Sequence, residues 1–238
     1  GFYCPMVQSN SYMLRMAYGL EGASLLNPVI HLKHDPATLA VEIYRQMGSR
    51  LGISKKRIKK SLAHAIEKQR QFAADMHQQG DKILRRLDAH EPIMVVTGRP
   101  YNLYDDRLNL RLGQNLARLD IAALPMDFID SSAVDLTEFP SMFWGLGAQI
   151  LKTAKIVSEN ANYFGLHLTN FGCGADSFIE HFYKSIMGDK AYLILELDEH
   201  SAAAGVMTRL EAYKNVIENS MQAALLETQF KTTTSQKR

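Results

Sequence analysis

From Glu91 onward the sequence switches between two periods four times, and this alternation limits the fold more than any other feature. PIMVVTG (92–98) is a short β-branched run closing on glycine, and residues 107–119 have helical spacing. IAALPMDFI offers a second strand, MFWGLGAQILKTAKIV (142–157) a helix and YFGLHLTNFG a third strand. SFIEHFYKSIM (177–187) predicts a helix, AYLILELD (191–198) an apolar strand, and residues 202 to about 226 a long last helix. Strands that alternate with helices, and are too apolar to be half-exposed, predict a parallel sheet with helices on both faces. Ligands of such sheets bind outside the carboxyl ends of the strands, which here carry TGRPYN, the DFIDSS region, NFGCGAD and LDEHSAAAG.

The part before Glu91 has a different grammar. Leu39, Ile43 and Met47 form one helical stripe, and Ile58, Leu62, Ile66, Gln69, Phe72 and Met76 another, with Ser54 as N-cap and Gly80 as stop. A short helix over 81–87 is expected to follow, and NPVIHL (27–32) reads as a buried strand without a sheet of its own. This mostly helical segment is expected to end a truncated first α/β domain. The expected organisation is a remainder of that domain with connecting helices at 1–90, an α/β domain at 91–228 and a flexible tail at 229–238. The lack of an initiating Met reads as an excised or processed segment.

Composition narrows the function classes. A chain of 238 residues with a hydrophobic fraction of 46% and a net charge of +2 has no electrostatic footprint for nucleic acid or an anionic membrane. KKRIKK (55–60) is a local run whose neighbours Ile58, Leu62 and Ile66 recur at helical spacing, as on a solvated helix face. No apolar stretch is long enough to span a bilayer, and the first residues do not form a signal peptide. Two cysteines cannot build a disulfide framework.

One of them, Cys173, lies between Gly172 and Gly174 just before a helix. Glycines permit close approach of a bulky group and a helix start favours negative charge, which suits a thiolate holding a metal or cluster. A small residue in a tight turn, or a weak phosphate-binding loop, fits the same residues. Cys4 precedes Pro5, which fixes the backbone beside a thiolate. No CxxC or Cys/His array accompanies either cysteine, which makes a self-contained zinc site a poor fit. Asp198, Glu199, His200 and Ser201 read as an acid-base set or as a loop and cap; no nucleophile-elbow pattern supports hydrolysis. Gly205 and Arg209, one turn apart, could seat a phosphate or carboxylate, although Arg209 could as well pair with Glu211 or another acidic neighbour. Arg99, Tyr101 and Asn102 line the same edge as ligand contacts or as a turn led by Pro100. Gly145 and Gly147 read as allowing close helix–sheet packing.

Together, CPMVQSN, VTGRPYNLYDD, NFGCGADSF and LELDEHSAAAGVMTRLEAY resemble the D-component of 2-hydroxyglutaryl-CoA dehydratase. They are more similar still to the large proteins that join this module to a CoA-substrate-specific enzyme activase, and to double-cubane-cluster proteins. The resemblance is strongest from Pro92 onward. It implies Rossmann-like or flavodoxin-like halves with an iron–sulfur cluster, 4Fe-4S or double-cubane, between them. It also implies a cytoplasmic setting in anaerobic metabolism, with an ATP-dependent activase as electron donor and an acyl-CoA as substrate. Cys4 and Cys173 match cluster ligands, and the family's further cysteine, upstream of the position of Cys4, has no counterpart here. The expectation is therefore that this chain alone folds, carries no cluster and has no activity of its own.

Three functions compete at this stage. The first is part of an iron–sulfur dehydratase-like or activase-fused reductase accepting a low-potential electron. The second is a noncatalytic flavodoxin-like module that binds an anionic small molecule such as CoA through Gly205, Arg209 and the TGRPYN loop. The third is a scaffold that docks the activase through the helices of 36–80. Neither nucleic acid nor membrane is an expected partner, and a dimer stays open, as does the part of Arg99, Tyr101, Asn102, His200 and Ser201 in binding substrate.

Overall fold

The computed structural model describes residues 4–20, 25–88, 91–170 and 173–235, with side chains through 226. The chain divides into two compact units, residues 1–76 and 77–238.

In the first unit, α1 (Pro5–Tyr18) starts at Cys4 with Pro5 at its first position and stops at Gly19 in the left-handed region (φ 58). Proline fits there because a first-turn N–H has no intrahelical partner to lose. Asp35 caps α2 (Pro36–Ile43), accepting from the N–H groups of Ala37 (2.9 Å) and Thr38 (3.1 Å). α2 runs into a π-helical turn, Tyr44–Gly48. NPVIHL is not a strand. Its backbone partner is a side chain: Val29 N–H donates to Gln46 Oε1 (2.7 Å) and Gln46 Nε2 donates back to the Val29 carbonyl (2.6 Å). The primary amide supplies the donor and acceptor that a neighbouring strand would have supplied.

α3 (Lys55–Leu84) starts after Ser54, whose Oγ accepts from Arg57 N–H (3.3 Å). It passes through Gly80 without stopping, so the expected separate helix over 81–87 is its last turn and the residues after it. Gly80 serves close approach instead, since a Cβ there would collide with the Phe128 carbonyl.

The second unit holds a four-stranded, all-parallel sheet in the order β2-β1-β3-β4. The strands are β1 (Ile93–Gly98), β2 (Ala122–Pro125), β3 (Tyr163–Asn170) and β4 (Tyr192–Leu197). Register pairs Val95 with Leu124, Val96 with Leu166 and Leu168 with Leu195. Period-two alternation sends Met94, Val96, Leu166 and Leu168 to one face, against α5 (Leu112–Arg118) and α8 (Ala203–Ser235). Ile93, Val95 and Leu124 go to the other, against α6 (Gly145–Glu159) and α7 (Gly174–Met187). This is the expected Rossmann-like or flavodoxin-like arrangement, with helices on both faces of a parallel sheet.

Two boundaries differ from the sequence pattern. The helix expected over 107–119 is shortened to α5, its first five residues forming a turn, because Leu110 (φ 54) and Arg111 (φ 58) are left-handed; a separate short helix, α4 (Pro100–Tyr104), precedes that turn. Two such residues in a row end any right-handed helix. α8 continues to Ser235, beyond the expected end near Leu226, and residues 236–238 of the expected tail lie outside the described residues. Gly147 serves helix–helix rather than helix–sheet packing, since a Cβ there would press on Ile179 of α7 and on Met142.

Candidate functional site at the switch point of the sheet

The strand order locates the crevice. The chain leaves β1 for β2 on one side and returns to β3 on the other, so the connections after β1 and β3 diverge between those two strands. Ligands of doubly wound sheets bind at that divergence, outside the carboxyl ends of the strands. After β1 come Arg99, Pro100, Tyr101 and Asn102; after β3 come Cys173, Gly174 and Asp176.

Side chains join the two connections. Arg99 donates from Nε (2.9 Å) and Nη2 (2.7 Å) to Asp176 Oδ1, and Thr169 Oγ1 donates to Asp176 Oδ2 (3.1 Å). Both oxygens of Asp176 are thus engaged, and its side chain is only 1% exposed. Burial works against the charge of Arg99, but the hydrogen bonds and charge of Asp176 outweigh it and the guanidinium holds its proton more firmly than usual. Asn102 Nδ2 donates to Asn170 Oδ1 (2.8 Å), whose own Nδ2 reaches the Leu197 carbonyl (3.4 Å), so the ends of β1, β3 and β4 are stitched together. Among the described residues, the buried Asn102 Oδ1 has no partner.

Cys173 is the N-cap of α7, with φ −69 and ψ 103. Its N–H donates to the Asn170 carbonyl (3.0 Å), and its carbonyl accepts from Ser177 N–H and Oγ, each at 3.0 Å. The thiol is half-buried, and burial pushes its pKa up. The Asp176 carboxylate adds to that rise, while the Asp176 N–H and the Arg99 guanidinium oppose it. The unliganded side chain is therefore a thiol, which a bound metal ion would deprotonate. Gly174 follows in the first turn of α7, and Gly172 lies outside the described residues.

One layer beneath this edge, on the α7 face, lies a polar group that sequence reasoning missed. Thr97 Oγ1 and His167 Nδ1 are 3.1 Å apart, and the His167 ring stacks on Tyr183 with centroids 5.2 Å apart. Thr97, His167, Tyr183 and Asp176 are all fully buried. Burial lowers the His167 pKa to about 4, the nearby Asp176 working against the shift. The available signal was the alternation of YFGLHLTN, which points His167 and Thr169 into the interior, where polar side chains call for partners.

The remaining expected residues lie elsewhere. Asp198 Oδ1 accepts from His200 N–H (3.0 Å) and Ser201 Oγ (2.7 Å), so LDEHS closes on itself as a loop. His200 and Glu199 are exposed, 85% and 83% at the side chain. Gly205 is in the first turn of α8, and Arg209 Nη2 donates to the Ile194 carbonyl of β4 (2.8 Å), not to Glu211. Pro100 opens α4 rather than a turn, leaving Tyr101 half exposed beside the crevice. Cys4 caps α1 in the first unit. A groove of about 630 Å³ borders Pro92, Met94, Ile121, Ala122 and Lys214, at the amino ends of β1 and β2. None of the expected site residues lines it.

The fold and this edge define a doubly wound α/β module with a buried, hydrogen-bonded polar cluster at the switch point. Residues 1–129, just over half of the chain, match the family described as CoA enzyme activase uncharacterised domain (DUF2229), and the chain belongs to that family. No curated protein and no solved structure matches it.

Proposed function

We propose that this chain works with an ATP-dependent activase as part of a 2-hydroxyacyl-CoA dehydratase-like or activase-fused reductase system, with its switch-point edge as the working surface. The observation that carries the reading is the convergence of the two connections at that edge, which presents Cys173 beside the Arg99–Asp176 pair. Membership of a CoA enzyme activase family supplies the link to the activase.

Cys173 fits as a single ligand of an iron–sulfur cluster: it is half-buried, follows a parallel strand and caps a helix. A complete set does not fit this chain. A cubane needs about four thiolates, and the two cysteines belong to different units. No reaction step is therefore assigned to a cluster within this chain. Its own residues do the holding: Asp176 locks Arg99, Thr169 fixes Asp176, and the Asn102–Asn170 hydrogen bond ties the connection after β1 to the end of β3. In this reading Cys173 and Cys4 are contributors to a ligand set shared beyond these residues, and an acyl-CoA is the substrate class.

The test is iron and acid-labile sulfide in the full-length natural protein purified without oxygen, beside Cys4→Ser and Cys173→Ser. The expected result is cubane-type iron and sulfide that each substitution depletes. Iron that survives both substitutions, or its absence from the wild type, would remove the cluster role.

The CoA-binding module has less to rest on, because the guanidiniums of Arg99 and Arg209 are both engaged, by Asp176 and by the Ile194 carbonyl. The scaffold reading, docking through the helices of 36–80, can draw on Leu51 and Phe72, which are exposed there. Capture of the activase by wild type and by both Ser variants alike, with no iron in any, would favour it.

A further inference from the structure

The first unit carries a second cluster of reactive side chains, independent of the switch point. His31, His34 and Glu42 each place one ligand atom within 4.8 Å of the others. His31 Nδ1 is 3.4 Å from Glu42 Oε2, His34 Nδ1 is 2.7 Å from Glu42 Oε1, and the two rings lie 5.0 Å apart. Neither histidine entered the sequence reading, since nothing in HLKHDP announces that Glu42 will face it.

The local chain explains why they meet. The His34 N–H donates to the His31 carbonyl (2.9 Å), a turn that brings both imidazoles to one side. The next residue, Asp35, caps α2 and bonds Thr38 Oγ1 (2.6 Å), fixing that turn at the helix start. The segment before the turn runs back along α2 and the π-helical turn, fastened at intervals of four residues on the helical side. Arg50 Nη1 reaches the Leu25 carbonyl (3.4 Å), Gln46 bonds both backbone groups of Val29, and Glu42 takes the two histidines. The carboxylate is thus held on the helix and the imidazoles on the turn, on two elements already tied together.

We propose that His31, His34 and Glu42 form a binding site for a divalent first-row transition ion of the Zn2+ class. Two imidazole nitrogens and one carboxylate oxygen are the donor set of open, three-ligand zinc sites, whereas Mg2+ and Ca2+ favour all-oxygen cages. Metal–ligand bonds of about 2.0–2.1 Å in a tetrahedron put donor atoms about 3.3 Å apart. The two short contacts go to different carboxylate oxygens, Oε2 for His31 and Oε1 for His34, so a single oxygen donor requires rotation of the Glu42 carboxylate and the exposed imidazoles to bring the three ligand atoms, now within 4.8 Å of one another, to that spacing. Binding requires each imidazole to present a lone pair at Nδ1 with its proton on Nε2, so the ion replaces the His34–Glu42 hydrogen bond. The imidazoles are 57% and 45% exposed, which leaves a coordination position to water. The ion would pin residues 25–34 to α2, its bonds taking the place of the Glu42–histidine contacts beside the fastenings at Gln46 and Arg50.

The test is titration of the 238-residue chain with Zn2+ alone, by calorimetry, with Co2+ as an optical probe. Variants are His31→Ala, His34→Ala and Glu42→Gln, with His200→Ala and a Cys4→Ser/Cys173→Ser double variant as controls. The expected result is one Zn2+ per chain, an affinity at least about tenfold weaker in each of the three variants and unchanged in both controls. Co2+ should give weak visible bands without thiolate charge transfer, and Zn2+ should raise the melting temperature of wild type but not of Glu42→Gln. All six proteins should share one circular dichroism spectrum, since none of the substituted side chains is buried. Loss of binding in the cysteine variant, affinity indifferent to the three ligands, or no stoichiometric binding would overturn the site.

Discussion

At His167 burial keeps the imidazole neutral down to about pH 4, whereas an unfolded chain protonates the same ring near pH 6.5. Between these values the unfolded state binds the extra proton, so this contribution is complete above pH 6.5 and is lost as the pH falls toward 4. The full loss is about 3 kcal/mol, of which about 2 kcal/mol is gone by pH 5. Urea unfolding at pH 7 and pH 5 measures it, and His167→Gln should flatten that dependence; an equal slope in both proteins would assign the effect elsewhere. The Arg99–Asp176 pair should respond in a different way. Removing one partner strands a buried charge, so Arg99→Ala should cost roughly 3–5 kcal/mol at neutral pH. Asp176→Asn should cost a similar amount and Thr169→Val less, as it removes one bond to a carboxylate that Arg99 still holds. A loss below about 1 kcal/mol for Arg99→Ala in urea unfolding would contradict the buried pair.

Between elements, β3 and α7 touch through Gly165, where a Cβ would collide with Tyr183 Oη. Gly165→Ala should therefore destabilise by about 1–3 kcal/mol through overpacking. Tyr183→Phe in the same chain should restore most of it, because the remaining ring and Met187 contacts are of ordinary length, 3.4 Å. Additive losses in that double-mutant cycle would refute the contact. This element-scale packing also explains how much of the fold was legible in advance. β1, β3 and β4 announce themselves because a parallel strand covered on both faces must be a nearly continuous apolar run, as in IMVVTG and YLILEL. NPVIHL carries the same signal, but its partner is the Gln46 amide, a tertiary choice that local pattern does not encode. The late start of the helix expected over 107–119 is likewise hidden, since Leu110 and Arg111 are not residues that favour left-handed backbone. At the site, Arg99, Asn102 and Cys173 were readable from the strand ends, because a parallel sheet says where ligands go. Thr97, His167, Thr169 and Asp176 were not singled out, because what matters in them is the partner each meets across the sheet.

At the scale of the whole chain, the two units differ in how much apolar surface they bury. Among the described residues, the buried hydrophobics of the first unit are Leu39, Ala40 and Ile58, whereas those of the second run from Ile93 to Ile217 across both faces of the sheet. Local opening free energy follows buried apolar contact. Amides of α1 and α2 should accordingly exchange much faster than those of β1 and β3, by at least about tenfold in hydrogen-exchange mass spectrometry. Equal protection across the two units would show that the first is stabilised by something other than its own core. No helix among the described residues is long and apolar enough to cross a membrane. The central claim concerns the switch-point edge, where a CoA enzyme activase family member presents Cys173 between a locked arginine and a helix start. The most direct measurement is low-temperature electron paramagnetic resonance of the natural protein, mixed anaerobically with an ATP-dependent CoA enzyme activase, ATP and dithionite. The expected result is an ATP-dependent iron–sulfur signal that falls to background in Cys173→Ser and persists in Arg209→Ala. A signal of wild-type intensity in Cys173→Ser would contradict it.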